Sequence, residues 1–139
     1  MPKKLIVCAD GTWDDEDRTR TNVAKIHRAL QTWLEGTDQW VCYVSGVGTT
    51  FGEALRGGAF GYGLSRNILQ AYDFLVDNYE PGDQLYFFGF SRGAYTARSL
   101  AGLIRNSGLL KKEFRRQVDD AMKLYRNRSN KTDPEFRRG

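Results

Sequence analysis

The hydrophobic positions of this chain fall into two kinds of pattern that alternate along its length. Short continuous apolar runs are typical of buried strands, whereas apolar residues three or four positions apart are typical of amphipathic helices. The predicted elements, in chain order, are a strand at Lys4–Ala9, a helix from Thr21 or Asn22 to Gly36, a strand at Trp40–Ser45, a helix at Leu64–Tyr79, a strand at Leu85–Phe88, a helix from Ser91 to Gly108 and a helix at Lys111–Arg128. This alternation predicts an α/β fold, with a parallel sheet, right-handed crossovers and helices on both faces.

Helical spacing also predicts which side chains face the sheet. The inward set comprises Val23, Ile26, Leu30 and Trp33 or Leu34 in the first helix, Ile68, Leu69, Tyr72, Leu75 and Val76 in the second, Ala94, Ala97, Ala101 and Ile104 in the third, and Phe114, Val118, Met122 and Tyr125 in the last. Because Ile26 and Leu30 point inward, the only histidine of the chain, His27, is expected to face outward.

Three loops are expected to meet at one edge of the sheet. In parallel sheets the chemistry lies at the carboxyl ends of the strands. The segments that follow the three predicted strands are Asp10–Trp13, Gly46–Thr50 and the turn at Ser91. Their convergence at that edge is the strongest functional argument that the sequence provides.

The turn after the third strand has the pattern G-x-S-x-G, from Gly89 to Gly93. Flanked by a strand and a helix, this pattern predicts a nucleophile elbow, in which a strained turn exposes the serine hydroxyl. We therefore predict that Ser91 is a catalytic nucleophile, rather than a structural turn serine. Side chains at Gly89 or Gly93 would collide where the strand and the helix pass close together.

Acyl transfer also requires an oxyanion hole, a base and a group that orients the base. The backbone N–H of Arg92 is the first candidate oxyanion donor, because it follows the nucleophile. Gly11 or Thr12, in the turn that begins at Asp10, is the candidate for the second donor, although the same residues also fit a simple turn.

The base is the missing part of this site. In the usual chain order the acid and the histidine follow the serine, but no histidine follows Ser91. The acidic residues after it lie in the last helix or the tail, and they are Glu113, Asp119, Asp120, Asp133 and Glu135. The printed sequence therefore does not complete a Ser-His-Asp triad.

No cofactor or metal site is expected. The glycine-rich segment at Gly46–Gly52 lacks the third glycine of a dinucleotide-binding motif, and the chain has no P-loop. The acidic run Asp14–Asp17 lacks the ligand spacing of a calcium loop.

Cys8 and Cys42 fall in predicted strands and are expected to be reduced thiols in a cytosolic fold.

Composition adds little except for the distribution of charge. The 139 residues, 40% of them hydrophobic and 27% charged, are ordinary for one globular domain, and the net charge is +4. From Arg105 onward there are eleven basic and five acidic residues. This excess favours a solvated helix face and a loose polar tail at about 129–139, with a membrane surface as a further option and no nucleic acid expected.

The N-terminal apolar run is too short for a signal peptide and is interrupted by Asp10. A first strand is the better interpretation, and it favours a cytoplasmic protein. Export by a secretion system that reads no signal peptide is equally compatible with this N-terminus.

The sequence resembles two known families. Cys8-Ala9-Asp10-Gly11-Thr12 resembles the D-x-D-G-T start of haloacid dehalogenase phosphatases, but Cys8 replaces the essential aspartate. The stronger resemblance is to the α/β-hydrolase domain of type VI secretion phospholipase effectors and related uncharacterised proteins. The matching segments are Cys8–Trp13, Thr21–Val23, Gly46–Thr49, Gly61–Leu64, Pro81–Asp83 and Gly89–Gly102.

That resemblance covers about residues 4 to 110 and implies the N-terminal part of a single three-layer α/β-hydrolase domain. It implies a serine esterase or lipase that acts on lipid or other carboxylic esters, with Ser91 as nucleophile and Asp10-Gly11-Thr12 beside it. It also implies that the triad acid and histidine lie on later strands, in a C-terminal part of the domain that is missing here. The alternative is an incomplete hydrolase-like domain that serves as a binding module.

Overall fold

The computed structural model describes residues 2–11, 21–32, 38–46 and 59–129. Its elements are strand β1 (Lys4–Ala9), helix α1 (Asn22–Thr32), strand β2 (Gln39–Val44), helix α2 (Ala59–Asn78), strand β3 (Gln84–Gly89), helix α3 (Arg92–Ser107), a 3₁₀ helix (Lys112–Gln117) and helix α4 (Val118–Ser129). All the predicted strands and helices have counterparts among these elements.

The three strands form one parallel sheet in the order β2-β1-β3. The register aligns Ala9 of β1 with Val44 on one side and with Gly89 on the other. The three strands therefore end at the same level, and the loops after them start from one edge, as the sequence predicts. The α/β fold with a parallel sheet is confirmed.

Alternate residues of β1 enter two separate cores. Leu5 and Val7 pack with the buried side chains of α2, α3 and α4, including Tyr72, Leu75 and Leu100. Ile6 and Cys8 face the other side, where they pack with α1. Because β1 is buried on both faces, it needs the continuous apolar sequence that it has. The result is three layers, with the sheet in the middle.

Helix α3 lies against the sheet in a different phase from the predicted one. Its buried residues are Gly93, Thr96, Leu100 and Leu103, whereas Ala101 is exposed. The inward face assigned to the alanines was wrong by about one residue. The reason is the close approach of Gly93 to β1, which fixes the rotation of the helix at its first turn.

The segment before α4 also departs from the prediction. The expected single helix is a 3₁₀ helix followed by an α-helix that starts at Val118, with non-helical backbone angles at Phe114. Phe114 is consequently 45% exposed, although Val118 and Met122 are buried as expected. The side-chain phase of a 3₁₀ helix differs from that of an α-helix, so the predicted face does not extend through it.

The remaining expectations concern the cysteines and the tail. Cys8 is buried in β1 and Cys42 is partly buried in β2, both as thiols. Burial raises the pKa of the Cys42 thiol to about 11, so this thiol is a poor nucleophile at neutral pH. The polar tail expected at 129–139 lies outside the described residues from 130 onward. No helix within the described ranges has the length and apolar character needed to cross a membrane.

The turn before β3 is tied to the start of β1 by Asp83. Its carboxylate accepts hydrogen bonds from the backbone N–H of Lys3 at 2.7 Å and of Glu80 at 2.9 Å, and Lys3 Nζ lies 3.1 Å away. Burial alone would raise the pKa of Asp83. The hydrogen bonds and the ammonium group outweigh it and hold the pKa below its ordinary value of 3.8.

We expect Asp83→Asn to lower the urea midpoint of unfolding at pH 7. A lowered folded-state pKa means that the carboxylate stabilises the fold above its unfolded pKa and stops doing so as pH falls through the folded value. The difference between the two proteins should therefore disappear under strongly acidic conditions. Asp120→Asn is the control, since its exposed pair with Lys123 should contribute little at either pH. An Asp83→Asn effect that persists unchanged at low pH would contradict this explanation.

Candidate active site

The turn between β3 and α3 has an unusual backbone conformation at Ser91. Its φ is 52° and its ψ is −122°, and no other residue except glycine has a positive φ in the described part of the chain. Such a conformation costs a residue with a side chain on the order of 1–3 kcal/mol and persists only where its surroundings enforce it. Ser91 is exposed at the level where the strands end.

The two glycines of the motif have no room for a side chain. A Cβ on Gly89 would lie 2.5 Å from the carbonyl oxygen of Gly93 and 2.6 Å from the Cα of Ala94. A Cβ on Gly93 would overlap the carbonyl oxygen of Ala9 and lie 2.8 Å from that of Asp10. These neighbouring atoms all belong to the backbone, so they cannot rotate away. Glycine at both positions is therefore what allows α3 to start directly beside β1 and β3.

Hydrogen bonds fix the turn around Ser91. Phe90 donates its N–H to the carbonyl of Ala9 at 3.1 Å, which extends the pairing of β3 with β1 by one residue. Gly93 donates to Phe90 O at 2.8 Å, and Ala94 donates to Ser91 O at 3.0 Å. Arg92 is the first residue of α3, so the positive end of the helix dipole lies next to the serine.

Two exposed aromatic side chains flank the serine. Phe90 directly precedes it and is 46% exposed, and Tyr95, one helical turn after it, is 63% exposed. Neither residue was among the predicted site residues. The signal was present in the sequence, because one aromatic residue directly precedes the motif serine and another follows it by four residues.

Asp10 follows the last residue of β1 and is only 1% exposed. From the described part of the chain its carboxylate accepts three hydrogen bonds: from the Gly11 N–H at 3.0 Å, from Thr21 Oγ1 at 2.6 Å and from the Tyr43 hydroxyl at 2.7 Å. Thr21 Oγ1 in turn accepts the N–H of Ala24 at 3.0 Å and so caps helix α1. One carboxylate thus joins β1, β2 and the start of α1.

The structure brings the predicted site residues to one edge, as far as it describes them. Asp10 and Gly11 follow β1, Gly46 follows β2, and Ser91 follows β3. Thr12 and residues 47–50 lie outside the described residues. The Gly11 N–H donates to the Asp10 carboxylate, and the oxyanion role of Gly11 or Thr12 stays a prediction.

The expectation that His27 faces outward was wrong. His27 is 5% exposed, and its ring stacks on Tyr43 with the centroids 4.8 Å apart. Helical spacing failed because Tyr43 of the neighbouring strand offers an aromatic partner that a single helix pattern does not reveal. His27 therefore contacts β2. Because β1 lies between β2 and β3, these two strands are about 10 Å apart.

The described residues contain no cluster of three or more metal-ligating side chains. A groove of about 840 Å³ lies between α2 and α4, away from the elbow, and its lining carries both signs of charge, including Asp73, Asp77, Arg115 and Arg126. Burial and the neighbouring carboxylates raise the pKa of Asp73, partly offset by Arg115. None of the residues lining this groove belongs to the three loops at the strand ends.

Comparison with known proteins identifies the family. The family model described as "T6SS, Phospholipase effector Tle1-like, catalytic domain" matches residues 3–138. The uncharacterised protein YEL023C of Saccharomyces cerevisiae is 34% identical across 88% of this chain, which spans only 20% of that protein. No solved structure gives a significant match. With nearly its whole length matched, the chain belongs to the family of Tle1-like phospholipase effector catalytic domains.

Proposed function

We propose that this chain supplies the nucleophile of a serine hydrolase that cleaves carboxylic esters of lipids. The observation that carries the proposal is the backbone of Ser91, which is held at φ 52° between two glycines that have no room for a side chain. A strained serine that is exposed at the end of a strand is what a nucleophile elbow requires.

In the proposed reaction the Ser91 hydroxyl attacks the ester carbonyl, and its proton passes to a general base. The carbonyl oxygen becomes an oxyanion, which the Arg92 N–H and the positive end of α3 stabilise. The alcohol then leaves with the proton. Water attacks the acyl-enzyme in a second step and releases the fatty acid. Because the Gly11 N–H is directed to Asp10, we assign the second oxyanion donor to the Thr12 N–H rather than to Gly11.

The base of this reaction is not assigned to His27, because its ring is buried against Tyr43 on the far side of β1 from the elbow strand. We assign the base and its orienting acid to a part of the catalytic domain outside the printed sequence. The chain spans a fifth of the length of its yeast relative.

A lipid substrate is supported by the family and by the surface around the serine. The family is described by a phospholipase activity, and we extend that activity to this chain. The exposed rings of Phe90 and Tyr95 provide an apolar border beside Ser91 that fits an acyl chain better than a hydrophilic ester. We expect the substrate to be met at a membrane surface.

Covalent labelling tests the nucleophile directly. The full-length protein should react with a fluorophosphonate probe, and mass spectrometry should locate the adduct on Ser91. Ser91→Ala should remove the label, whereas Ser99→Ala, a serine elsewhere on α3, should retain it. If the folded full-length protein is not labelled and hydrolyses no lipid ester, the proposal is overturned and a binding module becomes the better account.

A further inference from the structure

Asp10 is a carboxylate in an interior position that would be unfavourable without partners. It is 1% exposed, and a buried charge is tolerated only where hydrogen bonds replace its water. The three donors described above come from the next residue, from the cap of α1 and from β2. The Asp10 carboxylate therefore connects the end of β1, the start of α1 and strand β2 at the edge where the strands end.

The elbow rests directly on the backbone that Asp10 holds. On one side of Ser91, the Phe90 N–H bonds to Ala9 O. On the other side, Gly93 packs so closely on Ala9 and Asp10 that a Cβ would overlap their carbonyl groups. The position of Ser91 is thus set by the end of β1, and the end of β1 is set by the Asp10 carboxylate.

We propose that Asp10 is a positioning residue for Ser91, and that Tyr43 and Thr21 act with it. This inference rests on the proposed hydrolase function. The carboxylate does not contact the substrate in this assignment, because its oxygens are covered and already accept three hydrogen bonds. Asp10 keeps the end of β1, against which the elbow packs, in a fixed position. The serine oxygen then stays within reach of the ester carbonyl.

The expected signature is a loss of turnover without a loss of binding. Thr21 and Tyr43 donate to one carboxylate oxygen of Asp10, Oδ2, and the Gly11 N–H donates to the other, Oδ1. In Asp10→Asn the amide nitrogen replaces one of these acceptors, so at least one hydrogen bond must break or reverse. Displacing a reacting group by about 1 Å can lower the rate by about 100-fold. We expect kcat of the full-length Asp10→Asn protein to fall by roughly this factor, with KM changing less than about threefold.

Tyr43→Phe gives a milder and cleaner test. It removes the hydroxyl that donates to Asp10 and keeps the ring that stacks on His27. Its matched control is Tyr72→Phe, because the Tyr72 hydroxyl is also hydrogen-bonded, to Gly108 O and from the Leu110 N–H, but lies away from the elbow. We expect kcat to fall about tenfold in Tyr43→Phe and to stay near wild type in Tyr72→Phe.

The measurements are kcat and KM for a short-chain phosphatidylcholine, taken well below the unfolding temperature of each variant and normalised to folded protein. A purely structural role would lower stability in Tyr43→Phe and Tyr72→Phe alike and leave both kcat values unchanged, which would overturn the inference. A wild-type protein that is inactive would overturn the proposed function itself. If Asp10→Asn does not fold, the comparison of the two tyrosine variants decides the matter.

Discussion

Ser91→Gly in the full-length protein should abolish ester hydrolysis and, at the same time, increase the stability of the fold. Removing the nucleophile of a serine hydrolase typically lowers kcat by at least about 10⁴-fold. The gain in stability has a separate cause. A residue with a side chain is strained at φ 52°, whereas glycine adopts a positive φ without a steric penalty.

The size of the gain follows from two opposing effects. Relief of strain is worth on the order of 1–3 kcal/mol. The greater freedom of glycine in the unfolded chain offsets roughly 0.5–1 kcal/mol of that. We therefore expect the free energy of unfolding to rise by about 1 kcal/mol.

Ser91→Ala separates the two effects. Alanine removes the hydroxyl but keeps the Cβ, so hydrolysis should be lost as completely while the stability stays close to that of wild type. The measurements are urea unfolding curves of the three proteins together with their initial rates on a lipid ester. A Ser91→Gly protein that is less stable than Ser91→Ala would contradict the strain at this turn. Retained hydrolysis in either variant would contradict the role of the hydroxyl.

The parts of the fold that could be predicted from sequence are those fixed by local pattern. The first strand was predicted with its observed ends, because its apolar run from Leu5 to Ala9 is bounded by Lys4 on one side and Asp10 on the other. The turn at Ser91 was predicted for the same reason. Its two glycines and its serine alternate between Gly89 and Gly93, and the clash that a side chain at Gly89 would make is with the nearby backbone of Gly93 and Ala94. The clash at Gly93 is with Ala9 and Asp10, which are far away in sequence, and only the motif pointed to it.

The features that sequence analysis missed depend on partners from distant parts of the chain. Asp10 was noted as a residue beside the site, but its role depends on Thr21 and Tyr43, which are eleven and 33 residues away. His27 was placed on the wrong face because its partner, Tyr43, belongs to another element. The spacing of residues within α1 cannot reveal that the Tyr43 ring of β2 packs against this helix.

The phase of α3 is an intermediate case. The spacing of the alanines predicted the wrong buried face of α3, since small residues can lie on either side of a helix. Counting from Gly93 gives the observed face, because Thr96, Leu100 and Leu103 follow it at helical spacing. A glycine that a motif requires for close packing is thus a better reference for the phase of a helix than its most apolar or smallest residues.

Gly93→Ala is expected to destabilise the protein by at least about 3 kcal/mol, and in a marginally stable chain that is enough to prevent folding. The added methyl would overlap the carbonyl oxygen of Ala9, and β1 is the central strand, paired on both sides. Neither the strand nor the start of α3 can move away without breaking the bond from Phe90 to Ala9. The expected readouts are a lower unfolding temperature and loss of soluble protein on expression.

Gly102→Ala is the matched control, since it adds the same methyl to the same helix. There the nearest atoms are 3.2 Å away and belong to the flexible side chain of Tyr125, which can shift by a few tenths of an ångström. Alanine also favours a helix over glycine by about 1 kcal/mol, so the net change should lie within about 1 kcal/mol of zero. Equal destabilisation by the two substitutions would show that the contact between Gly93 and β1 is not special. A large effect confined to Gly93 would show that the elbow depends on this contact, because only there does the helix meet a backbone that cannot yield.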